Sequence, residues 1–197
     1  MTFKIGGVVE GQGEREALPL LLRRIIAAVD PGLAVEIPRP FKTNRSSLVK
    51  DQLENAVEAV ALRVRPNGAV FVLLDSDDDC PKELGPKLQC RAEAASIGLP
   101  VSVVLCHREF ESWFLAAAKS LRGKGGLSDD ILPPENPEHV RGAKEWLQSR
   151  MTRHAYSETV DQPKLAASMD LQEARVARSF DKCYREVVRL IEHFRTP

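Results

Sequence analysis

The chain has 197 residues, 43% of them hydrophobic and 28% charged, and its net charge at pH 7 is +0. That is enough chain to bury a core in one domain with an appendage. A balanced charge speaks against a surface built wholly as a nucleic-acid glove, although it is compatible with a local basic patch.

Phe3 to Val9 is an apolar run with β-branched residues and reads as a strand. Leu18, Leu21, Leu22, Ile25, Ile26 and Val29 recur at helical spacing, so a helix is expected over 14–29, stopped by Asp30-Pro31-Gly32. A short strand over 34–37 leads into a connection bracketed by Pro38 and Pro40. A second helix is expected over 48–64, and Pro66-Asn67-Gly68 turns the chain. Residues 69–74 are continuously apolar, the mark of a central strand buried on both faces. A helix over 84–97, a buried strand over 100–106 and a helix over 110–118 follow. Such alternation predicts an α/β fold with a mostly parallel sheet flanked by helices.

Beyond Leu121 the character changes. Residues 122–137 are rich in Gly, Ser, Asp and Pro and read as a long loop. Helices are expected over 138–151, 164–167 and 171–194, with Asp170 and Glu173 as a helix-start box and Ser179 marking a restart or kink. The organisation is thus an α/β domain over 1–120, with a loop and helical extension over 121–197 packed on it. No stretch of about eighteen apolar residues exists, so no membrane span is expected. The N-terminus runs directly into strand-like sequence, so no signal peptide is expected. Cys80, Cys90, Cys106 and Cys183 form no Cys-x-x-Cys pair. A zinc site is therefore not expected, and reduced thiols in a cytoplasm are the simplest reading.

Two acidic clusters follow two of the strands. Glu10-Gly11-Gln12-Gly13-Glu14 closes the first, and Asp75-Ser76-Asp77-Asp78-Asp79 closes the central one. Carboxylates at the C-terminal ends of parallel strands converge on the rim where α/β proteins place ligands. They repel one another unless a cation lies between them, and hard oxygen ligands suit Mg²⁺ or Mn²⁺. Glu10, Asp75, Asp77 and Asp79 are the candidate metal ligands. Alternatives stand beside this: Glu14 complements a helix dipole, and Asp79 caps a helix whose first turn holds Pro81. Of Glu109 and Glu111, which cannot both face the site, Glu111 is the candidate; its alternative role is charge complementarity at a helix start.

An apolar strand ending in Glu-Gly-x-x-Glu, then a later strand ending in Asp-x-Asp, resembles the Toprim pattern of topoisomerases, primases, recombination proteins and the OLD nucleases. Residues 9–14, 74–77 and 108–116 carry the resemblance, and Tyr156-Ser157-Glu158-Thr159, Gln162-Pro163-Lys164 and Ser179-Phe180 extend it along the chain to an uncharacterised bacterial Toprim-like family. It implies Mg²⁺-dependent phosphodiester chemistry, with Asp75 and Asp77 holding metal and Glu10 a ligand or general acid/base, joined by Glu14 and Glu111 in catalysis. It also implies bacterial mobile-element or phage defence, beside an ATPase supplied in trans. Tyr156 and Tyr184 both lie in the C-terminal part, which argues against a phosphotyrosine mechanism. A non-catalytic Toprim-like module regulating a partner ATPase is the competing expectation, and hydrolysis of a small nucleotide is a third.

A nucleic-acid substrate needs cations beside the acids. Arg108, Lys144, Lys164 and Arg178 are the candidates for phosphate contact, within a wider set of Lys42, Arg45, Arg153 and Arg175. Such charges also form ordinary solvated faces. Arg122-Gly123-Lys124-Gly125-Gly126 lacks the Gly-Lys-Ser/Thr ending of a nucleotide loop and reads as a mobile basic loop. Trp113, Phe114, Trp146 and Phe180 are expected in the core.

Overall fold

The computed structural model describes residues 2–195. Its elements in chain order are β1 (Phe3–Val9), α1 (Gln12–Val29), β2 (Val35–Glu36), β3 (Phe41–Lys42), α2 (Arg45–Ser47), α3 (Leu53–Val64), β4 (Gly68–Asp75), α4 (Pro81–Ala95), β5 (Val101–Cys106), α5 (Ser112–Ala116), α6 (Ala143–Gln148), α7 (Glu158–Ser168), α8 (Leu171–Ala174) and α9 (Arg178–Arg195). Among the described residues five strands form one sheet, ordered β2-β1-β4-β5 with β3 also on β1, and every pairing is parallel. The expected α/β architecture is therefore present.

Period-two alternation sorts the strand residues onto two cores. Ala69, Phe71 and Leu73 of β4 join Phe3, Ile5, Val104 and Cys106 on one face. Val70, Val72 and Leu74 join Val8, Val103 and Leu105 on the other. α1 covers the first face with Ala17, Leu18, Leu21, Leu22, Ile25 and Ile26, while α3 and α4 cover the second. The C-terminal helices also build the first core: Leu147, Leu165, Met169, Phe180, Val187 and Ile191 are buried in it. Among the described residues no helix is long and apolar enough to cross a membrane.

From β1 the chain first moves to β2 and β3 on one side, then crosses to β4 on the other. The order reverses between β1 and β4, and the crevice outside their C-terminal ends is where α/β sheets take ligands. Glu10 and Asp75 end these two strands.

Several boundaries differ from expectation. The helix expected over 48–64 begins earlier, with α2 capped by Asn44, whose side chain accepts from the Ser47 N–H, and passes through a π-turn, Leu48–Gln52. Periodicity reports which positions are apolar, not which hydrogen-bond register the backbone adopts. α4 starts at Pro81, whose missing N–H costs nothing at a helix start. The helix expected over 138–151 is reduced to a 3-10 turn, Pro137–His139, and α6, because Gly142 adopts φ 72 between them. Conversely, α7 runs through Pro163 for 11 residues. Asp170 caps α8 through the Gln172 and Glu173 N–H groups, but the Glu173 carboxylate accepts from the Ser120 N–H instead of closing the box.

Glycine has a packing role at the start of β4. A Cβ on Gly68 would lie 2.3 Å from the Val64 carbonyl oxygen, whereas one on Gly85 in α4 would meet nothing closer than 3.8 Å. Gly68→Ala should lose about 1–3 kcal/mol in urea unfolding, and Gly85→Ala should match the wild type or gain up to about 1 kcal/mol. Equal stability of Gly68→Ala and wild type would contradict the packing at the β4 entrance.

Candidate active site

The Glu10 carboxylate accepts a short hydrogen bond from the Asp75 backbone N–H, which ties the ends of β1 and β4 together. Asp75 itself is buried, and its carboxyl is pushed well above the usual carboxylate range by burial, then by Glu10, Glu111 and Glu14. Burial also raises Glu10 to about 7, with Glu14 and Asp77 adding and the Asp75 N–H and Arg45 opposing.

Glu14 and Glu111 complete the group. Glu14 lies in the first turn of α1 and folds back over Gly11, where a Cβ would come within 2.0 Å of its Oε2. A Cβ on Gly13 would strike Gln162 Oε1 of α7 at 2.0 Å. Glycines directly after a strand commonly serve a sharp turn. Here Gly11 is extended, at φ −108, and Gly13 is helical, and both serve close approach. Glu111 precedes α5 and is fully buried. Its Oε1 accepts from Gln162 Nε2 at 2.8 Å and from the Tyr156 hydroxyl at 3.1 Å, and Gln162 Nε2 also reaches Glu14 Oε1 at 3.3 Å. Burial raises Glu111 to about 7 against the pull of Lys144 and Gln162. Burial and then Glu111 push the Tyr156 phenol up. Lys144, held to Glu158 at 2.8 Å, is disfavoured as a cation by burial, but Glu111, Glu158 and Asp75 outweigh that and raise it. Glu109 does not enter the group; it accepts from the Ala143 and Lys144 N–H groups at the start of α6.

The rest of the second acidic cluster is arranged differently. Arg45 donates to the Asp75 and Ser76 carbonyls at 2.8 and 2.9 Å, pairs with Asp79 at short range and lies 3.3 Å from Asp77. Asp77 and Asp79 are 58% and 52% exposed. They were expected to turn toward one cation with Glu10 and Asp75; here both pair with Arg45, and Asp77 remains near enough to Glu10 to raise its carboxyl. Asp78 pairs with Arg108 and Arg141. Asp77 and Arg108 both adopt left-handed backbone, φ 49 and 64, and the Asp77 N–H donates to the Arg108 carbonyl.

Of the residues expected to contact phosphate, Lys144 stands among the acids. Arg108 is engaged with Asp78. Lys164 is 53% exposed and pairs with Asp161. Arg178 begins α9 and lines a separate cleft. Trp113 is buried and donates to Ser179 Oγ, while Trp146 is partly buried beneath Arg150. Sequence reasoning gave no role to Tyr156 or Gln162, which stood in the quoted string only as matching residues, and missed Arg45 as the clamp on the loop.

Among the described residues no three His, Cys, Asp or Glu side chains stand as a ready-made metal ligand set. Yet Glu14 Oε2 and Glu111 Oε2 are buried without a hydrogen-bond partner. Buried carboxylate oxygens lacking donors, beside Glu10, Asp75 and Glu111 whose ionisation is disfavoured by burial, fit a hard divalent cation. The donors from Asp75 N–H, Gln162 and Tyr156 hold the carboxylates in their present spread.

Residues 9–187 match the family described as a domain of unknown function, DUF4276, and the chain belongs to that family. No curated protein matches the chain, and neither does any solved structure.

The raised carboxyls set the sign of a pH effect. Glu10 and Glu111 ionise near 4.5 in the unfolded chain and near 7 in the folded one. Stability is therefore full below the unfolded value and is lost as pH rises through the folded one. With divalent ions chelated, the melting temperature should fall by several degrees between about pH 5 and pH 8, and Glu111→Gln should flatten that fall. A level or rising melting temperature across that window would contradict the burial of these acids.

Proposed function

We propose that this chain is a divalent-metal-dependent phosphodiesterase, a Toprim-like nuclease acting on nucleic acid. One observation carries it: Glu10, Glu14, Asp75 and Glu111 gather at the switch point of a parallel sheet, and two of them keep buried oxygens without donors.

Asp75 and Glu10 would hold Mg²⁺ or Mn²⁺, with Glu14 beside them. When bound, the cation would neutralise charge on a phosphoryl oxygen and acidify a water. Glu111, oriented by Tyr156 and Gln162, serves as the proton carrier. Lys144, whose charge acts on Glu111 and Asp75, supplies positive charge for the transferred phosphate. Asp77 and Asp79 shape the loop through Arg45 rather than ligating directly.

The setting we propose is bacterial mobile-element or phage defence, in the cytoplasm, with an ATPase supplied in trans. All four cysteines are free, and Cys80 and Cys90 are exposed, which fits a reducing compartment. A non-catalytic module regulating such an ATPase is the second reading. It is favoured by the neutralisation of Asp77, Asp78 and Asp79 by Arg45, Arg108 and Arg141, which leaves this loop charge-compensated without a metal.

Purified protein with Mg²⁺ or Mn²⁺ should cleave DNA or RNA, and Asp75→Asn and Glu111→Gln should each lower the rate by about a hundredfold or more. Asp75→Asn should also weaken Mn²⁺ binding in calorimetry while melting no earlier than wild type, since it removes a buried acid whose ionisation the site disfavours. If neither polymers nor nucleotides are cleaved, yet Mn²⁺ binds and depends on Asp75, the regulatory reading takes the place of the enzyme.

A further inference from the structure

A second feature of the same rim lies outside the acidic group. A cleft of about 710 Å³ opens between the first turn of α4, the end of β5, the 3-10 turn Pro137–His139 and the start of α9. Pro81, Pro86, Leu105, Pro137 and Val176 form its apolar wall. Lys82 of α4 and Arg178 and Lys182 of α9 also line it. The rings of His107 and His139, centroids 6.0 Å apart and tilted by 48°, add two flat faces.

The charge balance favours an anion. Glu135 and Glu138 are the carboxylates of the lining, and the Glu138 carboxylate is occupied by the backbone N–H groups of Arg178 and Ser179 at 2.9 and 2.8 Å. The Glu138 carbonyl accepts from His107 Nδ1 at 2.6 Å, which fixes that ring. Lys182 donates to the Val103 carbonyl at 3.0 Å on the outer edge of β5. Lys82 and Arg178 are exposed, and Val176 at the lip is 71% exposed. The volume falls in the roughly 300–1,000 Å³ range of small-ligand pockets.

We propose that this cleft binds a nucleoside monophosphate unit, its phosphate between Lys82 and Arg178 and its base against the prolines and imidazoles. Cations brought to one cleft by two helices ask for a compact anion, and apolar side chains with imidazole rings ask for a planar body attached to it. Position supplies the link to turnover. Asp75 opens the loop that ends at Asp79, and Cys80 and Pro81, the next residues, line the cleft. Likewise His107 of the cleft and Glu111 of the acidic group lie four residues apart after β5. A nucleotide here stands beside the acidic group, not within it. As a substrate subsite the cleft rests on the phosphoryl-transfer reading; its occupancy does not require turnover.

The test is calorimetric titration of the full chain with nucleoside 5′-monophosphates, inorganic phosphate and a short single-stranded oligonucleotide, all with divalent ions chelated. Nucleotides should bind with a Kd below about 1 mM, and inorganic phosphate about tenfold or more weaker. The Lys82→Ala/Arg178→Ala double variant and, separately, Val176→Asp should each weaken nucleotide binding about tenfold. These are exposed positions, so circular dichroism should be unchanged. An oligonucleotide that binds more tightly than the free nucleotide, with the same dependence on Lys82 and Arg178, identifies a strand as the source; equal binding identifies the free nucleotide. The proposal is overturned if nucleotides fail to bind, if phosphate binds as well as they do, or if both variants bind like wild type. Nucleotide binding without any metal-dependent cleavage would leave the cleft standing and remove the nuclease. Cleavage without nucleotide binding would do the reverse.

Discussion

Like charges that share a small, poorly hydrated space must be protonated, paired or bridged by a cation. Glu10, Glu14, Asp75 and Glu111 put this protein under that constraint, and much of its architecture is organised around it. β1 and β4 supply Glu10 and Asp75 from neighbouring strand ends. α1 adds Glu14, and the turn into α5 adds Glu111. The parts that enclose them come from the other half of the chain: Lys144 of α6, Tyr156, and Gln162 of α7. An α/β sheet alone would leave these acids on an open rim in water, with ordinary carboxylate behaviour. Closure by the C-terminal helices is what desolvates them. The glycines at 11 and 13 belong to the same device, because a methyl group on Gly11 would strike the Glu14 carboxylate and one on Gly13 would strike Gln162 and the Glu158 carbonyl of α7.

The neighbouring loop shows the same residue types under a different electrostatic regime. Asp77, Asp78 and Asp79 are more than half exposed, so their ion pairs contribute little, on the order of 0–1 kcal/mol each. The loop is held instead by Arg45, 19% exposed, through the Asp75 and Ser76 carbonyls. It is held also by Ser76, whose N–H continues the β4–β5 ladder to Cys106 and whose Oγ accepts from the Arg108 N–H. Those bonds sustain left-handed backbone at Asp77 and Arg108, which costs on the order of 1–2 kcal/mol per residue without glycine. The two left-handed residues follow the ends of β4 and β5, just after the buried Asp75 and just ahead of the buried Glu111.

Much of the α/β fold could be read from the sequence because it is written in local periodicity. The run at 69–74 announced a central strand, and strand ends fixed where Glu10 and Asp75 would emerge. β3 was not legible, since two residues paired to Val8 and Val9 carry no period. Lys164 shows why the enclosing side chains were harder still. Phosphate chemistry drew attention to the cation, but α7 turns Asp161, Gln162, Leu165 and Ala166 inward and leaves Lys164 outside. Pro163 also disguised the helix whose spacing would have revealed that face. Arg45 was visible as a charge, but its clamp needs the β3–α2 segment to fold against a loop thirty residues away, which no local pattern encodes.

The two charge regimes bear on how a neutral protein could handle a polyanion. Its cations near the rim are committed: Arg45, Arg108 and Arg141 to the outer acids, and Lys144 to Glu158. A phosphodiester approaching the ionised buried group would meet net negative charge and little that attracts it. A divalent cation at that group would offset two of its negative charges, lower the field holding Lys144 and offer a phosphoryl oxygen a ligand position, so on the proposed function cation binding must precede phosphate binding. The same reasoning explains why unspent positive charge would stand apart from the acids. At the cleft, Lys82, Arg178 and Lys182 outnumber Glu135 and Glu138, and the Glu138 carboxylate is held by the Arg178 and Ser179 N–H groups, which leaves net positive charge for a phosphate. On these two proposals, attraction and chemistry would be separated along one rim, joined by the loop that begins at Asp75.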